Sequence, residues 1–267
     1  MQQKAFVLVV MILALASAGQ ARTWYVAVDS TGDASTLHAA MDSAHAGDTI
    51  LVGPGTYLIQ DALHLPSQVV MQSERGPHET RIIGDGWIPP HFGISMAERS
   101  ELHGFWAEGF GYRSVYPRLD CRVTNSVVIG IFSASEPCVV KNNLFVRSVI
   151  LENTNIEFTH NITLSWLYCF GPLASLPYCN DFVGPICDEF MSFVPVWNFS
   201  LDPEFCGEEG SGNYFLKSTS PCAPGSAPPG FEACGQIGPL PVGCGAVPVE
   251  KTSWGMLKAM YGVTEEE

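Results

Sequence analysis

The chain has 267 residues and carries 13 Lys and Arg against 27 Asp and Glu, a formal charge of −14. An acidic surface of this kind repels nucleic acid and anionic polysaccharide unless a cation bridges them. So few basic residues form no basic stripe, which excludes nucleic-acid binding as a function class.

The first predicted element is an export signal. Lys4 precedes Ala5 to Ala18, fourteen residues without a charge, and small residues follow in Ala16-Ser17-Ala18 and Gly19-Gln20-Ala21. A charged start, a short apolar run and an A-x-A site read as a signal peptide over 1–21. The run is shorter than the roughly 20 apolar residues that span a bilayer. Later apolar runs are all broken by charge, Gly or Pro, so no transmembrane anchor is expected. Cleavage after Ala21 would leave 246 residues with a charge of 12 − 27 = −15. Export to a secreted or cell-surface location makes disulfides the expectation for the nine cysteines, which all follow residue 120, and an odd count leaves at least one thiol over. A zinc site is not expected, because there is no Cys-x-x-Cys and no His pair near the cysteines.

Residues 33–46 read as a short helix. Leu37, Ala40, Met41 and Ala44 fall on one face, Asp33 or Ser35 can cap the start, and Gly47 ends it. Beyond it, β-rich pieces recur at 49–52, 69–72, 81–83, 102–106, 123–129, 139–146 and 156–164, separated by Gly, Asn, Pro or Ser. Three of them align. The piece from Cys121 to Ile129 matches Cys138 to Val146 at an offset of 17, and that piece matches Ile156 to Leu164 at an offset of 18. A β-rich period near 20 without intervening helices predicts the coils of a β-solenoid, each too thin to bury its own apolar side chains without stacking on its neighbours. Asn125, Asn142 or Asn143, and Asn161 are expected to stack at a turn, where Asn tolerates a left-handed backbone. An antiparallel sandwich is the competing architecture. In the solenoid reading the helix covers the open first coil. Gly53-Pro54-Gly55 then turns the chain into the next side of the coil, with Tyr57 packed beneath.

The segments Leu37-His38-Ala39-Ala40, Gly47-Asp48-Thr49-Ile50-Leu51-Val52 and Pro54-Gly55-Thr56-Tyr57 together resemble the opening coil of pectin-lyase-like right-handed parallel β-helix proteins. Asp202-Pro203-Glu204-Phe205, Asn213-Tyr214-Phe215-Leu216, Ser220-Pro221 and Ile237-Gly238 resemble their closing coils. The cysteines in Phe205-Cys206, Pro221-Cys222, Cys234-Gly235 and Gly243-Cys244 resemble a subgroup of secreted bacterial β-helix proteins. These two ends cover about 24–60 and 198–245. The fold class implied is all-β, a right-handed parallel β-helix with a short N-terminal capping helix. It occupies 22–245, interrupted by a disulfide-rich excursion at 166–197 that holds Cys169, Cys179 and Cys187. Four closing-coil cysteines allow three connectivities. The preferred one joins Cys222 to Cys234 across a Pro- and Gly-rich loop and Cys206 to Cys244. A tail at 246–267 follows, with Trp254, Leu257, Lys258 and Tyr261 on one stripe of a short helix, a sorting element or a cap for the last coil.

The resemblance brings polysaccharide-active enzymes into consideration, so the acids in the middle coils matter. A hydrolase of this superfamily needs paired acids, and no Asp-Asp, Asn-Thr-Asp or Gly-His-Gly occurs. A lyase needs carboxylates that hold Ca²⁺, a hard cation wanting six to eight oxygens, and a nearby base. Glu101, Asp120 and Glu136 recur near the coil period and are the candidate metal ligands, with Asp120, Arg118 and Arg122 the candidate catalytic residues. The plainer reading is a solvated charged face, and no cofactor is expected beyond Ca²⁺ in the lyase case. Trp106, Tyr112 and Tyr116, with Phe110, form an aromatic cluster among glycines that suits either a sugar platform or packing on the wall. Asn161-Ile162-Thr163 and Asn198-Phe199-Ser200 match the N-glycosylation sequon. The leading expectation is a non-catalytic protein that presents a coil face or loops to a polysaccharide, cell-surface glycan or other surface partner. The alternative is a polysaccharide lyase or glycoside hydrolase. Nothing in the sequence fixes the oligomeric state.

Overall fold

The computed structural model describes residues 20–84, 92–110, 113–152, 155–170, 177–187, 197–208 and 211–244. The signal segment up to residue 19, Tyr112 and the helix expected in the tail lie outside them. Among the described residues no helix is long and apolar enough to cross a membrane.

The chain winds through three parallel sheets, and each coil contributes one strand to each. Sheet one stacks seven strands, from Thr23–Val26 through Thr49–Val52, Val70–Ser73, Glu101–His103, Cys121–Thr124 and Cys138–Lys141 to Ile156–Thr159. Sheet two stacks Gly55–Ile59, Thr80–Gly84, Trp106–Glu108, Val127–Ile129, Leu144–Phe145, Ile162–Thr163 and Asp181–Phe182. Sheet three stacks Leu63–Leu65, Phe92–Met96, Arg113–Pro117, Phe132–Ala134, Val149–Leu151 and Leu167–Cys169. This is a parallel β-solenoid of about six turns.

The repeat offsets seen in the sequence are the strand register itself. Cys121 pairs with Cys138 and Val123 with Val140, and Cys138 then pairs with Ile156. Alternate residues point inward, and four phenylalanines form an internal stack. Phe132 lies 4.9 Å from Phe145, Phe145 5.8 Å from Phe158, and Phe158 6.2 Å from Phe182, centroid to centroid. Burying rings this way supplies apolar area in every coil, and offset stacking adds to it.

The asparagines occupy two columns, not one. Asn125 and Asn142 hold left-handed backbone (φ 51° and 55°), a position that His160 and Cys179 take in later coils. The buried ladder is the next residue along: Asn143, Asn161, Asn180 and Asn198. The Oδ1 of Asn161 accepts from the Asn143 main-chain N–H at 2.9 Å and from its Nδ2 at 3.1 Å. Its own Nδ2 donates to the Val140 carbonyl at 2.9 Å and to Asn180 Oδ1 at 3.2 Å. Asn180 repeats the pattern with Asn198. Each amide thus satisfies backbone groups that a tight corner would otherwise leave buried and unpaired.

The N-terminal cap is helix α1, Leu37–Ser43, shorter than the sequence suggested. Thr36 is its N-cap, with Oγ1 accepting from Ala39 N at 3.0 Å. Asp33 instead accepts from Tyr25 N, which ties it to the first strand. Leu37, Ala40 and Met41 are buried over the first coil. Asp48 accepts from His45 N, Arg22 N and the Trp24 indole, and these donors hold its carboxyl below the usual range. Gly55 adopts φ 137°, and a Cβ there would stand 3.0 Å from Val28 Cβ, so the corner needs glycine. Tyr57 lies beneath it, and its hydroxyl donates to the carbonyls of Gly53 (3.0 Å) and Val26 (3.1 Å).

Within the segment expected to be an excursion, the described residues 166–170 and 177–187 continue the coil. Leu167–Cys169 is the last strand of sheet three, Asp181–Phe182 the last of sheet two, and Asn180 and Asn198 extend the ladder. The disulfides follow from this winding. Cys169 bonds to Cys187 one coil on, Cys179 to Cys234, and Cys206 to Cys244. Cys234 is therefore taken by Cys179 and not by Cys222. Cys222 is a buried thiol, as are Cys121 and Cys138.

Candidate functional site

The three candidate metal ligands, Glu101, Asp120 and Glu136, each face an arginine. Glu101 lies on a sheet-one strand beside Arg122 of the next coil, with 3.9 Å between Nε and Oε1. Asp120 occupies the preceding left-handed turn (φ 57°) and faces Arg99 at 3.8 Å. Glu136 is held by Arg118 Nε at 2.8 Å. Each acid thus meets a different arginine at a different position around the coil. Among the described residues no three His, Cys, Asp or Glu side chains are grouped to hold a metal ion. The two candidate bases, Arg118 and Arg122, are ion-paired with Glu136 and Glu101. The arrangement is an exposed set of alternating ion pairs, each of small energetic value.

The Trp106 platform is corrected by a longer-range contact. Sheet two has an outward column that runs Arg81, Trp106, Val127, Leu144, Ile162 and Asp181. The closing segment after residue 197 folds back across this column, and Phe199, Tyr214, Leu216, Ile237 and Leu240 build a second apolar core on it. Trp106 is 2% exposed there. Its ring stacks on Tyr214 at 5.6 Å and carries the Arg81 guanidinium at 4.4 Å, and its indole N–H donates to Glu108 at 2.7 Å. No sugar ring can reach it. Phe110 is buried as well, and Tyr116 is half-buried with its hydroxyl 2.7 Å from Ser135 Oγ.

The accessible rings lie elsewhere. Trp166, Tyr168 and Phe170 take alternate outward positions at the last strand of sheet three, Tyr168 within it and the other two just before and just after it, 50%, 40% and 62% exposed, while Leu167 and Cys169 between them are buried. The Trp166 and Tyr168 rings are 5.8 Å apart with planes only 14° from parallel. The preceding coil places Ile150 beside Tyr168, and main-chain bonds set Val149 N against Trp166 O and Phe170 N against Leu151 O. Ser148 and Glu152 of that coil therefore lie beside Trp166 and Phe170, with Glu152 3.5 Å from Arg113. Two further exposed rings, Tyr178 (42%) and Trp197 (51%), follow one another on consecutive coils nearby in the chain. Scattered exposed apolar residues are ordinary, but three exposed aromatic rings on alternate residues of one segment form a contiguous patch. The sequence did carry this signal, because Trp166-x-Tyr168-x-Phe170 alternates with a period of two. It sits where the coil repeat gives way to a Pro-, Gly- and Cys-rich stretch.

No family model, no curated protein and no solved structure matches the chain.

Proposed function

We propose that this is an exported, non-catalytic β-helix protein that binds neutral glycans through Trp166, Tyr168 and Phe170. The observation that carries the reading is the exposure of three aromatic side chains on alternate residues at the last strand of sheet three, with Trp166 and Tyr168 nearly parallel. Flat aromatic faces receive the C–H faces of pyranose rings, and side chains such as Ser148 and Glu152 beside them suit hydroxyl groups. The net charge disfavours polyuronates, which points to uncharged sugars. Three disulfides fit an extracellular setting. The resemblance of both ends to pectin-lyase-like proteins supports carbohydrate as the ligand class, while the dispersed acids support binding over catalysis.

A glycan array run beside an assay for unsaturated uronate product tests this. Neutral oligosaccharides should bind with little salt dependence, and no product should form with or without Ca²⁺. Calcium-dependent turnover that disappears in Asp120→Ala would overturn the reading and establish the lyase alternative.

A further inference from the structure

Asp181 closes the outward column of sheet two, between Ile162 in the sheet and a bridge to Phe199. Its side chain is fully buried beneath the C-terminal segment. One carboxyl oxygen, Oδ1, accepts from Leu201 N at 2.9 Å, and Oδ2 lies 3.3 Å from the buried Cys222 Sγ. Both partners belong to the segment that folds back over the sheet. We propose that this contact is a pH-operated catch, which fastens the stretch from Leu201 to Cys222 onto sheet two in acid and loosens it as the pH rises.

The argument is electrostatic and geometric. Asn180 and Phe182 on the same strand, and Ile162 and Phe199 on either side, bring no charge. The titratable groups that face Asp181 are the Cys222 thiol and the carboxyl of Asp202, and neither is cationic. None of the ion pairs among the described residues includes Asp181. A buried carboxyl without a counter-charge is comfortable only when protonated. Burial, and to a lesser degree Asp202, raise its pKa to about 7, against the lowering effect of the Leu201 and Cys222 hydrogen bonds. In the opened state the carboxyl returns to its ordinary value of 3.8. The closed state therefore keeps its full advantage below about pH 4 and loses it progressively up to about pH 7, after which the difference is constant. Between pH 5 and 8 the opening equilibrium should rise on the order of 100-fold. The Cys179–Cys234 bond ties the following part of the segment to the coil, and Cys206–Cys244 ties the stretch to that part, so the stretch opens without being released. Opening would bare Ile162 and its neighbours in the column. The catch is independent of the glycan-binding reading.

Amide exchange of the full chain, followed by mass spectrometry and corrected for intrinsic rates, tests it at pH 5, 6.5 and 8. Peptides covering 199–208 and 211–222 should open on the order of 100-fold more readily at pH 8 relative to the strand Cys121–Thr124, and Asp181→Asn should remove that dependence. A flat wild-type profile, or the same slope in the Asn variant, would overturn the proposal. If Asp181→Asn does not fold, the wild-type carboxyl can be titrated directly by carbon NMR with labelled aspartate. A midpoint near 7 supports the catch, and a midpoint in the ordinary carboxylate range removes it.

Discussion

Replacing Asn161 by Ala should be far more damaging than replacing Asn125 by Ala, although both are turn asparagines one residue apart in phase. Asn161 is fully buried, and its truncation strands the Asn143 N–H, the Asn143 Nδ2 and the Val140 carbonyl. At about 1–3 kcal/mol for each buried group left without a partner, and with some relaxation, the loss should be about 3–6 kcal/mol. That is a large share of the ~5–15 kcal/mol that stabilises a typical domain. Asn125 sits in the left-handed column with a single weak side-chain contact, Nδ2 to His103 Nδ1 at 3.4 Å. Its change to Ala should cost about 1 kcal/mol through backbone strain, and Asn125→Gly should cost less. Urea unfolding followed by circular dichroism, on protein from a host that does not glycosylate, measures all three. An Asn161→Ala midpoint within 1 kcal/mol of wild type, by the linear extrapolation, would refute the ladder as a stabilising element.

Other expectations follow from the same geometry. Leu37→Asp or Met41→Asp places an unpartnered charge over the first coil and should cost several kcal/mol, seen as a sharp fall in melting temperature; an unchanged curve would mean that α1 does not seal the core. Trp106→Ala should destabilise the chain by about 3–5 kcal/mol, because the ring is core and not platform, and glycan binding should survive in the fraction that folds. Both sequon asparagines are ladder members, with Nδ2 of Asn161 and Asn198 donating to the carbonyls of Val140 and Pro177. Folded protein from a glycosylating host should therefore carry no glycan at either site, and Thr163→Val with Ser200→Ala should raise its yield; intact-mass analysis that finds a glycan on natively folded protein would contradict the ladder.

What the sequence made legible was local and periodic. The offsets of 17 and 18 appear as strand pairing residue for residue, and the apolar stripe of Leu37, Ala40 and Met41 appears as the buried face of the cap. Most of the misses depend on contacts between distant parts of the chain. Asn125 and Asn143 differ by one residue in phase, and only the winding shows that one holds a turn while the other lies in the core. Cys234 finds Cys179 across 55 residues because coils bring them together, which no spacing rule around Cys222 could show. Trp106 looked available until the closing segment covered sheet two, and that fold-back involves residues more than a hundred positions away. The exposed strip at Trp166 was local and readable, but Pro, Gly and Cys after it drew attention to the break in pattern.

The central claim is that the outward rings of the last sheet-three strand are the binding face. Isothermal titration of an array-selected neutral oligosaccharide against wild type, Trp166→Ala and Tyr168→Ala tests it most directly. Each variant should keep the wild-type melting curve, since both side chains are about half exposed. Each should bind roughly tenfold or more weakly, corresponding to the ~1.4 kcal/mol or more of one lost stacking contact. Full affinity in both variants would contradict the assignment of this face.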